Sequence, residues 1–220
     1  MNIFEVQLQT ANLEDTKQFY HGKLGMELLL SNGNEVKLSA GLSTLVFTKA
    51  SNGRHPFYHF AFNIPPHKFE EAFEWARTNI PLIPVTGGNP VADFSSWNAK
   101  AFYFYDNNGN IVEFIARFDL PHRSDKAFDG SSVVSISEIG LVGDSAKTYS
   151  EQLMADYGLR YFSRQAPADD FVALGDDNGL LIVVNDHRNW YPTQKKSEKH
   201  FALVKAEING KLSIVEMKAE

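Results

Sequence analysis

The chain has no cysteine, so disulfides, thiolate metal sites and cysteine nucleophiles are all excluded. It has no basic tract, and its formal net charge of −6 argues against binding to a phosphate backbone. No uninterrupted apolar stretch approaches the length of a membrane span. The opening "MNIFEVQLQT" alternates like a strand instead of presenting a charged segment followed by an apolar one. A cytoplasmic protein without membrane or nucleic-acid partners is the expectation. Ser-His-Asp spacing, a phosphate-cradling glycine loop and a HExxH helix are absent as well. What is present is a share of 43% hydrophobic and 13% aromatic residues, enough to build a real core in 220 residues.

The chain repeats itself. Residues 3–10, "IFEVQLQT", place Phe4, Val6 and Leu8 on one face of a strand and Glu5, Gln7 and Gln9 on the other. Asn12 offers a helix N-cap, Leu13, Thr16, Tyr20 and Leu24 recur at helical spacing, and Gly25 stops the helix. Three strand-like runs follow, "MELLLSN", "EVKLSA" and "STLVFTKA". The same order, strand, helix and three strands, restarts at "YHFAFNI", with a helix after Pro65-Pro66 carrying Phe69, Phe73 and Ala76. It ends in "AKAFYFYD" and "NIVEFIARF", joined by the turn at 107–109.

Residues 119–132 are polar and aperiodic and read as a linker. Beyond them the first pattern returns: Glu138 stands as far from Gly158 as Glu5 does from Gly25, and "FVALGD" and "LLIVVN" supply later strands. The last unit is abbreviated. "HFALVKAEI" echoes "YHFAFNI" through His200 and His59, Asn209-Gly210 signals a tight hairpin, and "KLSIVEMKAE" shares Ile-Val-Glu with residues 111–113. The expected organisation is a complete domain of two βαβββ modules at 1–118, the linker, and a truncated second copy at 133–220. That makes an α+β fold with a curled, cup-shaped mixed sheet. The truncated copy is expected to cap the first domain or to form a contact in a homodimer.

Three stretches, "EVQLQTANLEDTKQFYHGKLGMEL", "YHFAFNIPPHKFEEAFEWA" and "FYFYDNNGNIVEF", resemble the vicinal-oxygen-chelate superfamily of glyoxalase I, bleomycin-resistance proteins, fosfomycin-resistance enzymes and extradiol ring-cleavage dioxygenases. The resemblance implies a cup whose metal ligands come from the first, fifth and eighth strands. Those places hold Glu5, His59 and Glu113, with an apolar residue near Val46 in the fourth strand. Ring-cleaving members use two histidines and a glutamate, so Glu5 replaces the first histidine. Tyr103 matches a tyrosine those enzymes keep near the substrate hydroxyls, but "STLVFTKA" lacks their acid–base histidine.

The residues themselves bear on this ligand set. His59 and Asn63 share one strand face, Glu5 and Gln7 the polar face of another, and Glu113 interrupts the apolar run "IVEFIA". A carboxylate there is costly unless paired, hydrated or coordinated. Two carboxylates and an imidazole suit Fe, Mn, Co, Ni or Zn and leave positions for a substrate with two oxygens. The leading expectation is a metal-dependent enzyme of the glyoxalase or extradiol-dioxygenase kind. In it Glu5, His59 and Glu113 are ligands, Glu5 and Tyr103 are catalytic, and Gln7, Asn63 and Tyr103 touch the substrate. The alternatives are a metal-free protein that sequesters a small molecule in the same cup, and a structural or regulatory module.

Overall fold

The computed structural model describes residues 1–51 and 53–218. The first module contains β1 (Asn2–Thr10), α1 (Leu13–Lys17), β2 (Leu28–Ser31), β3 (Glu35–Ala40) and β4 (Ser43–Lys49). Along β1, Val6, Leu8 and Thr10 are buried and Glu5, Gln7 and Gln9 half-exposed. Phe4 departs from the expected apolar face because the register shifts between Ile3 and Glu5, and Ile3 takes the buried place. The Asn12 side chain accepts from the backbone N–H groups of Glu14 and Asp15 at 3.0 and 3.3 Å, which satisfies two orphan donors and starts α1. The helix widens into a π turn over Gln18–Lys23, and Gly25 follows at φ +79°.

The second module contains β5 (His59–Asn63), α2 (Phe69–Asn79), β6 (Leu82–Ile83), β7 (Ala92–Phe94), β8 (Ala99–Tyr105) and β9 (Ile111–Arg117). The third contains β10 (Ser135–Gly143), α3 (Ala146–Tyr157), β11 (Phe171–Asp176) and β12 (Gly179–Asn185). Its second strand is reduced to one bridge, Tyr161 to Leu174. The fourth is a hairpin of β13 (Ala202–Ile208) and β14 (Lys211–Met217). Asn209 and Gly210 turn it with φ of 51° and 75°, the left-handed pair that a tight hairpin requires. The last two residues of the expected final strand lie outside the described residues.

Pairing between modules differs from the expected pairing. One sheet runs β14-β13-β1-β4-β3-β2 and the other β11-β12-β10-β5-β9-β8-β6, with β7 on β8. The two modules of residues 1–118 therefore share no sheet. The first is completed by the fourth, through antiparallel β1 and β13, and the second by the third, through antiparallel β5 and β10. All the leading strands carry the same kind of alternation, so hydrophobic pattern cannot choose among partners, and packing does. The Tyr58 hydroxyl donates to the Phe201 carbonyl and accepts from the Gln9 N–H, tying the start of β5 to β1 and the lead-in to β13.

The first and third helical segments bridge the two sheets. Tyr20 meets Phe47 of β4 at 5.2 Å between ring centroids and donates to Asp106, in the turn after β8, at 2.6 Å. Phe19 meets Phe104 of β8 on the same side. Tyr157, at the end of α3, donates to the Ile214 carbonyl on β14. The inner face of the second sheet is a cluster of fully buried rings, Phe60, Phe62, Phe102, Phe104 and Phe114, in edge-to-face pairs. Each such pair contributes about 0.5–1.5 kcal/mol beyond its buried area. Phe128 anchors the linker against Trp75 and Phe114. Among the described residues, no helix is long and apolar enough to cross a membrane.

Candidate metal centre

Strand order decides which side chains meet. In β10-β5-β9-β8, Ala61 is in register with Glu138 on one side and Glu113 on the other, and Tyr103 is opposite Glu113. Side chains in register share a face, so Glu138, Ala61, Glu113 and Tyr103 form a row, with His59 two residues from Ala61 on that face. Ala61 is the small member, and the space above its methyl is where the others converge. One ligand atom from each of His59, Glu113 and Glu138 lies within 4.8 Å of the other two, and all three residues are buried.

His59 Nδ1 lies 3.1 Å from the Ile111 carbonyl. A carbonyl only accepts, so Nδ1 carries the proton and Nε2 keeps its lone pair, 3.6 Å from Glu113 Oε2. Burial pulls the His59 pKa down to about 4, which keeps the ring neutral. Burial pushes Glu113 well above the ordinary carboxylate range. The neighbouring Glu138 charge adds to this, while Arg117 and the Tyr103 hydroxyl oppose it. Glu138 is raised by burial against the pull of Arg117. Glu113 Oε1 is buried with no hydrogen-bond partner among the described residues.

Arg117 donates through Nη2 to Glu138 Oε1. Asp177, beyond it, lies 3.5 Å from Arg117 Nη1 and 3.2 Å from Arg164 Nη2, and Arg164 also pairs with Asp119 at 2.7 Å. Two buried carboxyl groups beside one guanidinium, a carboxyl oxygen without a hydrogen-bond partner among the described residues and the imidazole lone pair come together at one point. A divalent cation fits that donor set.

Glu5 lies in the other sheet. It pairs with Lys205 Nζ at 2.7 Å, and Lys205 occupies in that sheet the place Ala61 has in this one. In the other sheet and ion-paired to Lys205, Glu5 is not part of the group formed by His59, Glu113 and Glu138, which corrects it as ligand and as catalytic base. Gln7 is beside it, opposite Leu203 and Val46, and does not reach the centre. Asn63 is on β5 but turns its amide to Ser135 at 3.2 Å and does not line the cavity. His59, Glu113 and Tyr103 are brought together. Glu138 was not among the expected ligands, although its equivalence to Glu5 in the repeat marked it as a candidate.

The residues that the repeat sets against Glu5, His59 and Glu113, namely Glu138, His200 and Glu216, do not come together among the described residues. Matched through Glu5 and Glu138, the strand pairings equate Lys205 with Ala61, whereas the sequence echo equates Ala202 with it. A slip of three residues is odd, so His200 turns to the opposite face and meets Phe57 and Tyr58. The first and last strands of each full module are parallel, whereas β14 is antiparallel to β13, and Glu216 is exposed on it.

Beside the centre is a cavity of ≈ 170 Å³ walled by Phe94, Trp97, Tyr103, Phe171, Trp190 and Tyr191. Trp190 comes from the connection between β12 and β13 and faces the His59 ring at 5.2 Å. It seats on Gly140 of β10, where an added Cβ would be 2.5 Å from its Cη2 atom. Gly140→Ala is therefore expected to displace the indole and to cost about 1–3 kcal/mol of stability by overpacking. A red-shifted tryptophan emission and a lower Tm would be seen; an unchanged spectrum would refute this seat for the ring.

No family model and no curated protein sequence matches the chain. Solved structures do. A putative dioxygenase from Bacillus subtilis superposes with a TM-score of 0.61 at 13% identity, over 97% of this chain and 69% of that one. A mutant of glyoxalase I from Zea mays gives 0.54 at 16% identity, over 89% and 70%. A glyoxalase/bleomycin resistance protein/dioxygenase from Alicyclobacillus acidocaldarius gives 0.43 at 20%, over 54% of this chain and 92% of that one. At these identities the likeness is one of architecture: this chain has the α+β, repeated-module fold of the vicinal-oxygen-chelate superfamily.

Proposed function

We propose that the chain holds one divalent transition-metal ion through His59, Glu113 and Glu138 and acts on a small oxygen-bearing molecule in the adjoining cavity. The observation that carries this reading is the convergence of three buried donors, one imidazole and two carboxyl groups, within 4.8 Å of one another. Bound there, the ion supplies Lewis acidity toward a substrate oxygen.

The protein's own groups do the rest. Tyr103 is 2% exposed, and burial, then the Glu113 charge, raise its pKa well above that of a free phenol. It therefore stays protonated and donates a hydrogen bond to the substrate oxygen, which strengthens as negative charge develops there. Trp190 and Tyr191 cover the site and exclude water. The cavity is close to the roughly 150 Å³ that holds one benzene. A single ring, or an open chain of similar bulk, is the substrate size it accepts, whereas large conjugates and antibiotics of the bleomycin kind do not fit.

A metal-free binding protein is the second reading, favoured by the Arg117–Glu138 pair, because a guanidinium already balances one carboxylate. Elemental analysis and cobalt(II) titration followed by visible absorption separate the two. One metal per chain is expected, lost in His59→Ala. A protein that takes up no divalent metal yet binds single-ring probes would favour the second reading.

A further inference from the structure

We infer that Arg117 determines which cation the centre accepts, by taking one of the two oxygens of Glu138 out of the ligand set. This rests on the reading of the centre as a metal site. Arg117 ends β9 on the face that carries Glu113 and is 1% exposed. Its Nε donates to Ser137 Oγ at 3.2 Å and its Nη2 to Glu138 Oε1, so the guanidinium is held to two successive residues of β10. The rings of Trp97 and Phe162, themselves in edge contact, pack against it together, 5.2 and 5.7 Å from the guanidinium carbon, while Asp177 Oδ1 lies 3.5 Å from its Nη1. A planar fork pinned in this way cannot release Oε1 without breaking both hydrogen bonds and both ring contacts.

The chemical consequence concerns ligand number. Glu138 is left with Oε2 alone, and the guanidinium cancels one of the two carboxylate charges. Calcium takes six to eight oxygen ligands, often from bidentate carboxylates, and its affinity rises with their charge. Zinc, nickel, cobalt and iron are satisfied by fewer donors that include an imidazole. Arg117 thus works against calcium and favours the borderline metals. It is a positioning residue: it acts through Glu138 and touches neither metal nor substrate.

The test is the ratio of calcium to zinc dissociation constants, measured by competition with a chromogenic chelator on the full chain. Replacement Arg117→Met frees both Glu138 oxygens and removes the compensating charge. The ratio is expected to fall about 10–100-fold, the range typical of groups that orient metal ligands. Arg117→Lys keeps the charge without the fork and is expected to fall between wild type and Arg117→Met. It also carries the test if the methionine variant fails to fold. Ser137→Ala, which loosens one anchor, should shift the ratio the same way by a smaller factor. A merely structural role would lower Tm and leave the ratio unchanged. If wild type binds zinc and the variants keep its ratio within about a factor of two, the inference is overturned and the metal site stands. If wild type binds neither cation, both fall.

Discussion

A chain ending at Leu120 is expected to lose metal binding and cooperative folding together. It removes Glu138, one of the three donors, and Trp190 and Tyr191, which cover the cavity. It also strips β13 from β1 and β10 from β5, leaving two leading strands with unpaired edges and open apolar faces. Exposed edges of that kind template association. Thermal melting, size exclusion and cobalt titration on residues 1–120 would show a broad or absent transition, aggregation and no metal uptake. A sharp melt near the full chain's Tm, with metal still bound, would overturn the assignment of the centre to the second and third modules.

Replacing Glu113 by glutamine is expected to have nearly as large an effect on binding and the opposite effect on the metal-free fold. Metal affinity should fall at least as far as the roughly 10–100-fold lost with outer-shell partners, because a ligand itself is removed. Stability of the metal-free protein should rise. The folded-state pKa of Glu113 stands well above the unfolded value of 4.5, chiefly through burial and then through the Glu138 charge. The folded protein therefore holds that proton more tightly than the unfolded chain. Stability is lost as pH rises from 4.5 through the folded pKa, and glutamine, which does not ionise, escapes that loss. The Tm advantage of Glu113→Gln should grow from pH 5 to pH 8. His59, held near 4, works in the other direction between about pH 4 and 6.5, but it is present in both proteins and cancels in the difference. A difference that shrinks with rising pH would contradict the buried, uncompensated charge.

Much of this was legible in the residues. Alternation, the Asn12 cap and the Asn209-Gly210 turn located strands, a helix and a hairpin by local chemistry, and local chemistry is what sequence records directly. Glu113 was legible because a carboxylate in an apolar strand demands an explanation, whereas His59 and Tyr103 were singled out through the resemblance. Choice of partner strand was not. Glu5 and Glu138 have the same surroundings in sequence, and what separates them is a lysine opposite one and an alanine opposite the other, on strands far away in the chain. His200 misled for a related reason. Identity over four residues carried no information about a three-residue slip in pairing, and an odd slip reverses every side chain.

The pairing of Asn2 with Glu207 also sets the order of events in synthesis. At roughly 5–20 residues per second, β1 emerges on the order of ten seconds or more before the strand that completes it. During that interval it has β4 on one side and nothing on the other. The sheet that carries the centre waits less, because β12, the last strand it needs, ends at Asn185. Closing the first sheet requires a loop nearly as long as the chain, and contacts so distant in sequence are slow to form. The sheet that carries the candidate centre is thus ready to assemble while the first sheet is still incomplete, and the β13–β14 hairpin closes that first sheet.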